Sequence, residues 1–196
     1  MCTKPLPVRQ QCGFSLLELV VVIIIISVLL AMAIDRLMKL QVVAEQAAME
    51  SIIGHLQSAI GLTISEHIAK GQIPELNKLI DTNPMDLLAD TPVNYLGSFA
   101  TMPKNVETGN WWYDAGSKTL VYHVGNPQNF LSEGPENGLA KFKIRPVYDD
   151  NNHNGRFDRG DTLVGLKLTP LARYRWLNEP ISPDDYTQPG QTNARG

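Results

Sequence analysis

An α+β chain is the fold class this sequence predicts: a long N-terminal membrane-spanning α-helix packed by its distal half on a small antiparallel β-sheet. Three observations predict it. Residues 14–34 form an apolar run, FSLLELVVVIIIISVLLAMAI, with Glu18 as its one ionisable group. Apolar positions then continue at steps of three and four as far as Ile64, the spacing of one helix face. Beyond Lys70 the pattern changes to short apolar runs separated by turn-forming residues, as strands and hairpins require.

At ~1.5 Å rise per residue the first run spans roughly 31 Å, the thickness of a bilayer core. Lys4 and Arg9 are the only charged side chains ahead of it. The positive-inside bias therefore keeps that end cytoplasmic and sends the remainder outward. The bulk of the chain, beyond a single pass, is therefore expected to be periplasmic or extracellular. A secretory signal peptide ending at Ala31-Met32-Ala33 competes with this reading, but the run is long for one and holds a carboxylate. A plain anchor leaves Glu18 as an unexplained cost of several kcal/mol if charged in lipid. A lipoprotein signal ending at Cys12 fails, since no apolar run precedes that cysteine.

Leu37, Leu40, Val43, Ala44, Ala47, Ala48, Ile52, Leu56, Ala59, Ile60 and Ile64 extend the helix as an amphipathic segment, residues 35–69. Gly71 is the expected αL cap, with Pro74 just beyond. Residues 70–177 form the globular α+β part that covers the apolar stripe. Within it Asn83 to Leu88 reads as a short capped helix with Pro84 at its first position. Trp111-Trp112-Tyr113 and Thr119 to Val124 flank a turn-rich pentapeptide and predict one hairpin; Ala140 to Tyr148 with Thr162 to Thr169 predict a second. Residues 178–196, with several prolines and no apolar periodicity, predict an irregular tail.

Composition narrows the function classes. The 196 residues are 43% apolar and 19% charged, which disfavours disordered, collagenous and polytopic membrane chains. A formal net charge of -3 without a basic block gives no electrostatic reason to expect nucleic acid. Cys2 and Cys12 are the only cysteines, so no disulfide, thiolate metal site or thiol nucleophile is expected in the globular part. His55, His67, His123 and His153 lack metal spacing, and no G-x-S-x-G nucleophile motif occurs. Trp111, Trp112, Tyr113 and Tyr122 could form a ligand-stacking surface, but alternating strand aromatics more commonly fill a sheet core. No catalytic residue is identified.

The most specific local pattern in the globular part runs from Asp150 to Asp161. Asp150, Asn152, Asn154, Asp158 and Asp161 place oxygen side chains at loop positions 1, 3, 5, 9 and 12, with Gly155 at 6 and the Arg156 carbonyl at 7, the ligand spacing of an EF-hand loop. Asp161 replaces the usual bidentate glutamate, and the flanks read as strands. Hard oxygen donors suit Ca²⁺, so a structural Ca²⁺ is one reading. In the other, the Asx side chains bond their own backbone and no metal is held.

Gly13-Phe14-Ser15-Leu16-Leu17-Glu18-Leu19, followed at once by the apolar helix, resembles the class III signal of type IV pilins and type II secretion pseudopilins. The resemblance covers the first 40 or so residues and implies a pilin-like fold. It also implies that a membrane-embedded prepilin peptidase removes a leader, residues 1–13, by cutting between Gly13 and Phe14, and methylates the new amine of Phe14. Residues 14–34 would form the transmembrane and filament-core helix, with Glu18 an assembly determinant that neutralises the N-terminal ammonium of a neighbour at low dielectric. The implied partners are other pilin or pseudopilin subunits, an inner-membrane assembly platform and membrane lipid; the implied machine is a type II secretion system or a type IV or MSHA-like pilus. One departure stands at Asp35-Arg36, where many members carry a proline, and it favours a minor or specialised subunit. Several pseudopilins use calcium where pilins use a C-terminal disulfide, and a chain processed after Gly13 would hold no cysteine. The competing class is a monomeric, membrane-anchored, Ca²⁺-binding periplasmic interaction module.

Overall fold

The computed structural model describes residues 15–101, 103, 105–134, 136–177 and 179–181. Among the described residues there is one α-helix, α1, Leu16–Ala69. It is followed by short 3-10 turns at Ile73–Leu79 and Pro84–Leu87, and by seven strands: β1 Tyr95–Phe99, β2 Trp111–Asp114, β3 Thr119–His123, β4 Phe130–Ser132, β5 Leu139–Asp149, β6 Thr162–Pro170 and β7 Tyr174–Trp176. The chain divides into two compact units, residues 1–40 and 41–196, so the second takes the distal part of α1.

Gly71 ends α1 as expected. Its φ of 67° is open to glycine at little cost, and it lets the Gly71 N–H reach the Ile68 carbonyl at 3.0 Å and the Gln72 N–H reach that of His67 at 2.8 Å. These two bonds satisfy carbonyls that the helix end would leave open, as in a Schellman motif. The predicted helix at 83–88 is a 3-10 turn capped by Asn83, whose side-chain oxygen accepts the Met85 N–H at 3.1 Å.

Five strands form one sheet in the order β1-β2-β3-β5-β6. Both predicted hairpins are present: Trp111 faces Tyr122 and Asp114 faces Thr119 in β2–β3, and Phe142 faces Pro170 in β5–β6. The sheet is antiparallel except at one edge. There β1, which periodicity did not reveal, lies parallel to β2, with Tyr95 beside Trp111. β4 and β7 make a separate two-stranded sheet, tied by Phe130 against Tyr174 and Trp176 at ring separations of 5.3 and 5.0 Å.

The core lies between the distal part of α1 and one sheet face. Met49, Leu56 and Ile60 pack with Trp111, Tyr113, Leu120, Tyr122, Phe142, Ile144, Leu166 and Leu168. A smaller cluster of Trp112, Val121 and Leu139, under Phe99 and Val106, covers the opposite face. That double cover explains why β2 and β3 are apolar without alternation. The aromatic quartet is therefore core and offers no stacking surface: Trp111, Trp112, Tyr113 and Tyr122 are all buried.

The expected helix stripe needs one correction. Ile52, Leu56, Ala59, Ile60 and Ile64 face inward or are partly covered, but Val43, Ala44, Ala47 and Ala48 are exposed, and the buried positions on those turns are Val42 and Met49. Alanines bury little apolar area, so the larger Val42 and Met49, together with a polar anchor at Glu45, set the inward face.

Candidate functional site

Gly13 and Phe14, the expected processing residues, lie outside the described residues. Glu18 sits in the first turn of α1 and is exposed. An anion is favoured there because the first N–H groups of a helix have no internal partner and carry partial positive charge. α1 is the one helix among the described residues long and apolar enough to cross a membrane, and the apolar window that qualifies it is wholly uncovered within the chain. From Leu16 to Ile34 its large apolar side chains are 39% to 81% exposed. Such a surface is stable only against lipid or other apolar helices. Ser27 returns its hydroxyl to the Ile23 carbonyl at 2.7 Å, so this hydroxyl adds no unsatisfied polar group.

The 150–161 loop joins β5 to β6. Asp150 accepts the Asn154 N–H at 3.2 Å and the Gly155 N–H at 2.7 Å on its two oxygens; Gly155 turns there at φ 73°. Asn152 Oδ1 accepts the Asn154 N–H at 3.0 Å, and Asn154 Oδ1 the Arg156 N–H at 2.7 Å. Asp161 closes the loop by accepting from Asn151 N and Asp158 N at 3.1 and 2.9 Å. The two carboxamides meet at Asp158, donating to its Oδ2 at 2.9 and 2.7 Å. The Gly160 N–H, then those two amides, hold the Asp158 carboxyl below the usual carboxylate range. The predicted set is thus gathered in one loop, while among the described residues no three Asp, Glu, His or Cys side chains form a metal-binding group. A carboxamide turned by 180° presents oxygen where it now presents nitrogen, so the donor chemistry fits a hard cation once Asn152 and Asn154 turn.

Sequence reasoning missed Glu45. Its carboxylate accepts the Tyr122 hydroxyl at 2.9 Å, the Gly125 N–H, the Asn126 N–H at 3.0 Å and the Asn126 side-chain amide at 2.6 Å. One helix residue thereby holds the end of β3 and the turn after it. Burial first, then the Glu45 charge, push the Tyr122 hydroxyl well above the ordinary phenol range, so it remains a donor. A glutamate among apolar helix positions was the available signal, but nothing local distinguishes it from a solvated one.

Neither curated proteins nor solved structures yield a match to this chain. Residues 8–34 do match the family model of the prokaryotic N-terminal methylation motif. That stretch spans the expected cleavage point, Glu18 and the apolar run, so the chain carries the class III prepilin signal of type IV pilins and pseudopilins.

Proposed function

We propose that the protein is a structural subunit, a pseudopilin or minor type IV pilin, of a type II secretion or type IV/MSHA-like pilus system. Prepilin peptidase cuts between Gly13 and Phe14 and methylates Phe14. The subunit then sits in the inner membrane with its C-terminal domain in the periplasm, meets an assembly platform, and polymerises through α1. The observation that carries this reading is the methylation motif running into a helix whose large apolar side chains are exposed from Leu16 to Ile34. N-methylation leaves the amine a cation, so Glu18 of one subunit neutralises Phe14 of the next inside a low-dielectric bundle. Exposed Leu37, Leu40, Val43, Ala44, Ala47 and Ala48 continue the contact surface, and small side chains there permit close helix approach.

Intact mass and N-terminal sequencing of membrane-extracted protein, with and without a prepilin peptidase, test the processing step. The expected product begins at N-methyl-Phe14 only when the peptidase is present; a start after Ala33 or an intact Met1 sinks the proposal. Glu18→Ala should be inserted and processed yet poorly incorporated into filaments, and normal incorporation removes the charge-pair mechanism. Cross-linking in membranes separates a filament subunit, which gives ladders, from a solitary anchored module, which does not.

A structural Ca²⁺ in the 150–161 loop is the second part of the proposal, held by Asp150, Asn152, Asn154, Asp158, Asp161 and the Arg156 carbonyl. The gathering of these oxygen-bearing side chains within one loop supports it, with Asn152 and Asn154 turning to present oxygen. Full-length protein in detergent should unfold at a higher temperature in Ca²⁺ than in chelator, by mass action. An unchanged midpoint at about 1 mM Ca²⁺, a concentration that loads even weak extracellular modules, would leave the loop as a metal-free Asx network.

A further inference from the structure

We propose that the groove beside the free edge of β5 docks an extended, acidic polypeptide segment of a partner protein, independently of the filament reading. β5 runs to Asp149, but its pairing with β3 stops at Phe142 opposite Leu120. Past that point, among the described residues, one edge of β5 has no strand beside it, while the other stays paired with β6 as far as Asp149. Unpaired strand edges carry N–H and C=O groups that an added extended chain can meet. Pro146 lies in this stretch, and sheets tolerate proline at edges. Alongside is a groove of about 460 Å³, lined by Ile80 and Asp81, by Arg145 and Tyr148 of β5, and by Arg156 and Phe157 of the loop. Phe157 packs on Tyr148 with ring centroids 5.1 Å apart, which gives the groove an apolar wall.

Its charge is one-sided. Asp81 is the groove's carboxylate, and Lys143 at 2.8 Å and Lys118 at 3.6 Å already neutralise it. The loop's Asp150, Asp158 and Asp161 are occupied by loop N–H groups. Arg145 and Arg156 are exposed and, among the described residues, form no ion pair. Arg159 and Lys167 are likewise exposed and without an ion pair among the described residues, and Lys167 stands directly opposite Arg145 across the β5–β6 ladder. Like charges in direct cross-strand register destabilise a sheet, and a ligand bearing carboxylates relieves that repulsion. Apolar walls beside a strand edge suit a polypeptide. A nucleic acid would be drawn by a broad positive field, which a chain of net charge -3 does not supply.

The test uses the full chain in detergent and a fluorescein-labelled peptide alternating glutamate and leucine, followed by anisotropy at about 50 mM salt, where screening is modest. Saturable binding is expected, with a loss of about tenfold or more in Arg145→Ser/Arg156→Ser and for a peptide with glutamine replacing glutamate. The single reversal Arg145→Glu should weaken binding in the same direction, and the tryptophan emission and unfolding midpoint of each variant report that it is folded. No saturable binding by the parent chain, or equal binding by the folded variants, overturns the proposal. So does an oligonucleotide of equal charge that binds more tightly than the peptide and is lost in the same variants.

Discussion

Replacing Glu45 by alanine should be among the most damaging changes at a polar helix position in this molecule. Four donors converge on its carboxylate, from Tyr122, Gly125 and both nitrogens of Asn126. Their surroundings differ. Gly125 is exposed and Asn126 partly so, so water can replace the carboxylate there at a loss of about 1 kcal/mol in all. Tyr122 is 4% exposed, and its hydroxyl loses a charge-assisted bond with little water to take over, which costs roughly 1–3 kcal/mol. The expected destabilisation of Glu45→Ala is therefore about 2–4 kcal/mol. Tyr122→Phe removes the same bond without orphaning a buried donor and should cost about 1 kcal/mol. The two changes share a bond, so a double-mutant cycle should show coupling of at least ~1 kcal/mol. Urea unfolding followed by tryptophan emission suits the measurement, because Trp111, Trp112 and Trp176 all belong to the unit that the clamp holds. Additive effects in the cycle, or a Glu45→Ala loss within ~0.5 kcal/mol as at ordinary surface sites, would refute the reasoning.

Other perturbations separate the remaining contributions. Leu56→Ala, at a side chain 0% exposed, should cost about 2–5 kcal/mol in the same unfolding assay. The hydrogen bond from Lys143, then its charge and that of Lys118, hold the Asp81 carboxyl below the usual range despite some burial. A depressed carboxyl contributes stability above its unfolded value, near pH 4, that is lost as pH falls through the folded one. Asp81→Asn should thus flatten the acid limb of stability against pH, and an unaltered limb would assign it elsewhere. Lys167→Thr removes the repulsion with Arg145 and should raise the urea midpoint slightly, by an amount equivalent to ~0.2–1 kcal/mol; a lowered midpoint would show that the pair is not repulsive.

What the sequence made legible followed from local signals with few physical solutions. The run at 14–34 has no polar alternative to a buried or membrane helix, Gly71 satisfies a helix end that Pro74 prevents from continuing, and both hairpins are bracketed by turn chemistry. The parts that escaped depend on contacts between distant segments. β1 is an edge strand of five residues whose burial alternates weakly, and its parallel partner β2 lies across a long loop. The β4–β7 pair brings together short segments separated by the whole β5–β6 hairpin. In the candidate site, the motif residues and the loop spacing were visible, but the amide network within the loop and the Glu45 clamp were not. A carboxylate at a helix position is solvated or anchored according to what the fold brings opposite it, and here that is a turn some eighty residues away.

The rotation of the helix stripe by about one position has a functional consequence. Had Val43, Ala44, Ala47 and Ala48 faced the sheet, one face of α1 would have served the domain and no small-residue face would have remained outside it. With Val42, Glu45, Met49 and Leu56 turned inward instead, the same turns present both an anchored face and a free one, which a 3.6-residue period allows. The two faces should then fail differently. Ala47→Glu alters an exposed position and should leave the unfolding midpoint within ~0.5 kcal/mol of the parent, while placing a charge where the proposed neighbouring helix packs. Leu56→Ala does the reverse, weakening the domain without touching that surface. Filament incorporation lost in the first variant with stability intact supports the division of faces. Equal incorporation of Ala47→Glu and the parent would show that subunits meet elsewhere on the helix.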